Sequence, residues 1–264
     1  MTSEAPESTP GGVSLSFDGG VAIITIDRPA VRNAIGFATT SELDAAIGQV
    51  AESDAAVLVL TGGGDRAFVS GGDLKELATV RTHAEAVQMA SNVRDTLDHL
   101  AGLPIPVIAA MNGHALGGGA EVAVAADIRI AANDIRIGFS QVDLGIMPAW
   151  GGIERLTGLV GRARALLAIT TGTQYDATAA HEIGLVDLVV PRATFDAEWR
   201  AIAAKLAGLA PGTTRSVKEV VNAAKPAIHP ASRDRAIDLF ATLWAAPEHW
   251  AAVDAATAQR AAKK

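Results

Sequence analysis

The chain has 264 residues, 49% of them hydrophobic, a formal net charge of −7 and no cysteine. That is enough for one large domain, or one domain with a helical appendage. An acidic chain without a basic block argues against nucleic-acid binding, which depends on neutralising phosphates. The missing cysteines exclude disulfides, thiolate nucleophiles and cysteine-based metal sites, and fit a reducing cytosol.

Residues 1–12, MTSEAPESTPGG, are polar and rich in Pro, Ser and Glu. They predict a disordered tail, because a signal peptide needs a basic start and an apolar core. VSLSFDGGVAIITIDRP predicts a hairpin turning at Asp18-Gly19-Gly20. Gly36–Ser53 has apolar residues at helical spacing, and AAVLVLTGGG reads as a buried strand entering a loop. Gln88–Leu103 reads as a helix stopped by Pro104 and Pro106. PVIAAMNG is the next buried strand, and apolar segments continue over Val122–Ala132 and Ile135–Phe139. From Trp150 onward helices are expected at Ile153–Val160, Gly161–Thr171, Ala177–Ile183, Thr194–Leu209, Gly212–Ala224, Ser232–Ala246 and Glu248–Ala262. One short strand, Leu185–Val190, interrupts them. No repeat of fixed period is visible. Strands alternating with helices, then a helical end, indicate an α/β fold with a helical appendage. The last helices carry apolar positions, Trp244 and Trp250 among them, that must pack on this domain or on a neighbouring subunit. No apolar run approaches the roughly 18 residues that a membrane-spanning helix needs. A soluble, cytoplasmic protein with no membrane partner is therefore expected.

Two loops share one form, an apolar strand, glycines, then a helix: Thr61–Leu77 and Asn112–Val124. Glycine lets a ligand oxygen approach, and backbone N–H groups at a helix start are unpaired and electropositive. Two such turns, if they converge, make a pocket for a developing oxyanion. Glycine-rich turns also arise for steric reasons alone, and both readings stand at this point. Neither loop has the lysine of a P-loop or the GxGxxG spacing of a dinucleotide fold.

Five ordered segments resemble the enoyl-CoA hydratase/isomerase (crotonase) superfamily. AFVSGGDLKEL is similar to its AFxxGxDxxE segment, and NGHALGGGAEVAVAADIRIA to NGxAxGGGxExAxxxDxxxA. RPAVRNAI, LGIMPAWGGIERLTGLVGRARA and TGTQYDATAAHEIGLVDLVVP match further segments, in order from about Val13 to Pro191. The resemblance implies a crotonase-like spiral of ββα units over residues 13–195. Residues 196–264 would be a C-terminal helical trimerisation region, giving a homotrimer or a dimer of trimers. It implies an acyl-CoA thioester substrate, coenzyme A entering only as part of that substrate, and no ligand cluster in the sequence suggests a metal or redox cofactor. The thioester oxygen would sit between the N–H groups of Gly72 and Gly118. Ala30, Val31 and Arg32, with Gly71, Asp73, Leu74 and Lys75, would contact the coenzyme A moiety. Trp150 would wall the acyl pocket.

Hydratases of this superfamily use two glutamates. One position here is Glu121. The other, four residues before a glycine, holds Gln141 before Gly145, a departure from the family pattern. Glutamine can hold a water but cannot carry a proton at neutral pH. The segment from Phe139 to Gly145 is also shorter than usual. If it runs extended, Asp143 would face the same side as Gln141 and serve as the replacement carboxylate; it also reads as a solvated loop aspartate. Glu121 reads as catalytic, or as a helix-start glutamate that favours the dipole. His114 reads as structural, and Asp127 with Arg129 as a local ion pair or cap. Tyr175, His181, His229 and His249 show no triad spacing.

The activity expected is reversible hydration of a 2-enoyl-CoA. The alternatives are double-bond isomerisation, decarboxylation of a (methyl/ethyl)malonyl-CoA-type acid, and a non-hydrating acyl-CoA binder.

Overall fold

The computed structural model describes residues 12–224 and 230–262. The chain opens on the expected hairpin, Val13–Asp18 (β1) and Val21–Ile26 (β2), which pair antiparallel around Gly19-Gly20. Helix Phe37–Ala51 (α1) follows. Next comes a unit of strand Val57–Gly62 (β3), short strand Ala67–Val69 (β4), and helices Leu74–Leu77 (α2) and His83–Gly102 (α3). The pattern recurs as Val107–Met111 (β5), His114–Leu116 (β6) and helix Gly118–Ala125 (α4). It recurs again as Ile128–Ala132 (β7), Arg136–Gly138 (β8), a 3-10 turn Ser140–Leu144 and helix Gly152–Val160 (α5). These are ββα units without a fixed sequence period, because α3 lengthens only the first.

The remainder runs through Arg162–Thr171 (α6), Gln174–Asp176 (β9), Ala177–Glu182 (α7) and Leu188–Val190 (β10). It ends in helices Phe195–Ala207 (α8), Pro211–Ala223 (α9), Pro230–Ala245 (α10) and Pro247–Ala262 (α11). Among the described residues the five longer strands and the short β10 form a six-stranded sheet, ordered β1-β2-β3-β5-β7-β10, parallel from β2 onward. β3 and β5 are buried on both faces, as central parallel strands must be. The other short strands form a second sheet, β4-β6-β8-β9, in which only β9 runs antiparallel to its neighbour.

Several elements differ from the sequence expectation. β4, β6 and β9 have three residues each, too few for periodicity to register. α3 begins at His83, not Gln88, because Thr82 and Glu85 form a capping box. The Glu85 N–H donates to Thr82 Oγ1, and the Thr82 N–H donates to Glu85 Oε2 at 2.9 Å. The tail expected at residues 1–12 lies, apart from Gly12, outside the described residues, as does His229. Trp244 and Trp250 in the last helices pack on this chain itself. Trp244 is buried and donates Nε1–H to the Val80 carbonyl at 3.1 Å. Trp250 stands edge-on to Trp244 and lies under the Arg81 guanidinium.

Candidate functional site

β4, β6 and β8 are parallel neighbours, so their C-terminal ends lie side by side. The chain leaves β4 through Gly71-Gly72, β6 through Gly117–Gly119 and β8 through the turn that carries Gln141. Sheet register alone therefore gathers both glycine loops and Gln141.

Gly72 pairs with Ile35 in a single parallel bridge, built from Ile35 N–H to Gly71 O and Asp73 N–H to Ile35 O, both 2.8 Å. Its own N–H takes no part and faces the other way. Gly118 is the first residue of α4, so its N–H has no intrahelical acceptor. The two loops touch, since a Cβ on Gly71 would stand 3.3 Å from Gly118 N. Among the described residues neither N–H has an acceptor. The Trp150 ring covers this pair. A Cβ on Gly118 would meet its Cζ3 at 2.1 Å, and one on Gly72 would lie 3.8 Å from its Cη2. Only glycine at 118 admits the ring.

Glu121 sits one turn into α4, 2% exposed. Its Oε2 accepts the N–H groups of Trp150 at 2.7 Å and Gly152 at 2.9 Å. Its Oε1 accepts Gln141 Nε2–H at 2.9 Å. Burial pushes its pKa up to about 7, against the pull of the Gly152 and Trp150 N–H groups, the Arg155 charge and the Gln141 amide. Gln141 is buried too, and its Oε1 accepts no hydrogen bond among the described residues. The chain thus joins Glu121 and Gln141 directly.

Asp143 does not join them. The segment coils as a 3-10 turn, not an extended loop, so positions two apart do not share a face. Asp143 is exposed and approaches Gly172, at the end of α6 (Arg162–Thr171). Of its two readings, the replacement carboxylate and the solvated loop aspartate, this placement fits the second.

Ala30–Arg32 run beside the Gly71–Lys75 segment, held by Ser70 N–H to Arg32 O at 3.2 Å. Arg32 has left-handed backbone, φ 57°, and is exposed, as is Lys75. Leu74 begins α2 beside them. The Asp73 carboxylate, by contrast, is committed to Arg28 at 3.2 Å. Asn33 fixes this edge: its Nδ2 donates to the carbonyls of Gly63 and Ala67.

Sequence reasoning missed the support behind Glu121. Arg155 Nη1–H donates to the Trp150 carbonyl at 2.8 Å, and Nη2 pairs with Asp98. Asp98 also pairs with the buried Arg94, which reaches Glu154 at 3.0 Å. Gly151 has φ 92°, and a Cβ there would meet Arg155 Nη1 at 2.2 Å. Glycine therefore lets Arg155 clamp the turn whose amides hold Glu121. The GGxxR spacing in GGIERL was the available signal.

The other singled-out residues are structural. The Arg136 N–H donates to His114 Nδ1 at 3.0 Å, joining β6 to β8. Arg129 and Asp127 do not pair with each other's side chains. Arg129 pairs with Asp187 at 2.5 Å, and Asp127 with Lys218 at 2.6 Å. His181 bonds the Val186 carbonyl, and His249 Nδ1–H donates to the Leu144 carbonyl at 2.6 Å. Tyr175 lies half-buried on β9. Among the described residues no group of three or more His, Cys, Asp or Glu side chains is placed to hold a metal ion. Nor is any helix there long and apolar enough to cross a membrane.

The family model for enoyl-CoA hydratase/isomerase matches residues 16–254. A short-chain-enoyl-CoA hydratase of Clostridium acetobutylicum is 40% identical over 212 residues, 80% of either chain. The crystal structure of an enoyl-CoA hydratase from Bacillus anthracis superposes with a TM-score of 0.77 at 37% identity, covering 80% of this chain and 82% of that one. An enoyl-CoA hydratase/isomerase structure from Xanthobacter autotrophicus reaches 0.85 at 26% identity, covering 97% and 99%.

Proposed function

The chain belongs to the enoyl-CoA hydratase/isomerase family, and on that premise we propose that it reversibly adds water to a 2-enoyl-CoA. The observation that carries this reading is the buried Glu121 carboxylate, joined to Gln141 beside two unpaired glycine N–H groups. The thioester oxygen binds between Gly72 and Gly118. Their N–H groups stabilise the enolate that forms as water adds, and removal of one such donor typically costs about 3 kcal/mol in transition-state energy. The water oxygen bonds to Cβ while its proton passes to Glu121. Glu121 then returns that proton to the α-carbon, so one carboxylate serves as base and acid. Gln141 Oε1 accepts a hydrogen bond from the attacking water. Coenzyme A enters as part of the substrate, held along Ala30–Arg32 and Gly71–Lys75, and no further cofactor is needed.

The test is loss of the conjugated-thioester absorbance of crotonyl-CoA. Turnover is expected, with kcat/KM rising as pH increases through about 7, where Glu121 becomes ionised and able to act as a base. Gln141 does not titrate, so no partner limb should lower the rate at higher pH. No hydration of any enoyl-CoA, with turnover of methylmalonyl- or ethylmalonyl-CoA instead, would replace this reading by decarboxylation.

Double-bond isomerisation is the second reading, favoured by the glutamine at 141, because moving a proton between two carbons of one enolate needs only Glu121. The Gln141→Glu substitution separates the two. It sets a second carboxylate beside Glu121, where two like charges in contact share a proton. Hydration should increase, and the pH profile should gain a falling limb. Unchanged or reduced hydration, with brisk conversion of a 3-enoyl-CoA, would favour isomerisation.

On the same premise the protein is proposed to act in fatty acid metabolism in the cytoplasm, as a homotrimer or dimer of trimers. The exposed apolar stripe Val217, Val220 and Val221 on α9 supports the assembly.

A further inference from the structure

A cavity of about 330 Å³ lies between α1 and α3, at the small end of the range for ligand sites. Leu77 and Trp150 form its inner wall. The same two side chains crowd Gly72, where a Cβ would stand 2.7 Å from Leu77 Cδ1. The cavity therefore begins where an acyl chain leaves the thioester position. Ile35, Phe37, Met89 and Val93 add apolar lining.

Its lining is not all apolar, and most of its polar groups share one sign. Thr40 Oγ1–H donates to the Gly36 carbonyl at 2.8 Å, and Thr96 Oγ1–H donates to the Asn92 carbonyl at 3.1 Å. With their protons so committed, both hydroxyls offer only lone pairs to the cavity. Asp44 and Asp95 add acceptors at the rim, their side chains 53% and 60% exposed. Their neighbours are His99 Nδ1, 3.1 Å from Asp44, and the Arg233 guanidinium beside Asp95. Asn92 Nδ2 and the Ser41 hydroxyl are the donors on this rim. A plain alkyl end would leave the threonine oxygens unpaired, whereas a donor would satisfy them.

Resting on the hydration reading above, we propose that this cavity selects acyl-CoA substrates whose chain ends in a hydrogen-bond donor, a hydroxyl or an ammonium group, a few carbons beyond the double bond. The test compares hex-2-enoyl-CoA with its 6-hydroxy and 6-amino forms. Each donor-ended ester should show kcat/KM at least tenfold above the plain ester. A further advantage of the amino form would show that the rim carboxylates also engage the chain end. Thr96→Val should bring the 6-hydroxy ratio toward one. The saturated esters, titrated calorimetrically, read the cavity apart from the chemistry. If 6-hydroxyhexanoyl-CoA binds tenfold tighter than hexanoyl-CoA while no enoyl ester turns over, the cavity assignment stands and the reaction reading fails. If enoyl esters turn over with no preference for a donor end, or with a preference that Thr96→Val does not change, the cavity assignment is overturned.

Discussion

Glu121→Gln is expected to lower kcat for enoyl-CoA hydration by about 10²–10⁴, the usual contribution of a positioned acid–base group. Affinity for a saturated CoA ester should not change. The substitution preserves shape. The new Oε1 can accept the Trp150 and Gly152 N–H groups, and the new Nε2 can face Gln141, whose amide turns its unpartnered Oε1 toward it. The fold should also become less sensitive to pH. Burial raises the folded-state pKa of Glu121 from the ordinary 4.5 to about 7. Between those values the folded protein holds a proton that the unfolded chain has released, so stability falls as pH rises through that window. The glutamine has no such slope, and at pH 8 the variant should melt above the wild type. Wild-type turnover in the variant would end the assignment of Glu121 as the proton carrier.

Removing Arg155 is expected to have the second-largest effect, through Glu121 rather than through contact with substrate. Arg155→Met leaves the Trp150 carbonyl without its donor and Asp98 without one of its arginines. An unpaired buried acceptor costs about 1–3 kcal/mol, read as a lower denaturant midpoint. The turn that presents the Trp150 and Gly152 amides loses its clamp, and Glu121 loses a positive charge that holds its pKa down. The rising limb of kcat/KM should therefore move to higher pH, with kcat affected more than KM. Arg155→Lys should return the limb toward its wild-type position while leaving stability low, because one ammonium cannot copy the two-armed contact to Trp150 and Asp98. A destabilised Arg155→Met enzyme with an unmoved pH profile would show that Arg155 serves the fold alone.

How far the site was legible in the sequence depends on distance along the chain. Both glycine loops were readable because glycine runs before a helix start have a local cause, as was Glu121 one turn beyond. The long strands and most helices were readable from apolar pattern. β4 and β6 were not, since a three-residue strand has too little pattern to stand out, yet they carry the two loops to one edge. Asp143 kept two readings in the sequence because a compact 3-10 turn and an extended loop can be written with the same few residues. Arg155 and Asp98 are 57 residues apart, and nothing local marks them as partners.

The amino-acid sequence by itself determined the family, the two glycine loops and the exchange of glutamate for glutamine at position 141, since each is written in contiguous residues. Only the tertiary structure decided that Gln141 bonds Glu121 directly and that Asp143 turns away. It also decided that Trp150 lies across both glycine loops and that Arg155 braces the turn holding Glu121. Those facts depend on which strand ends become neighbours in the small sheet, and that register is set by packing across the whole core, not by any single segment.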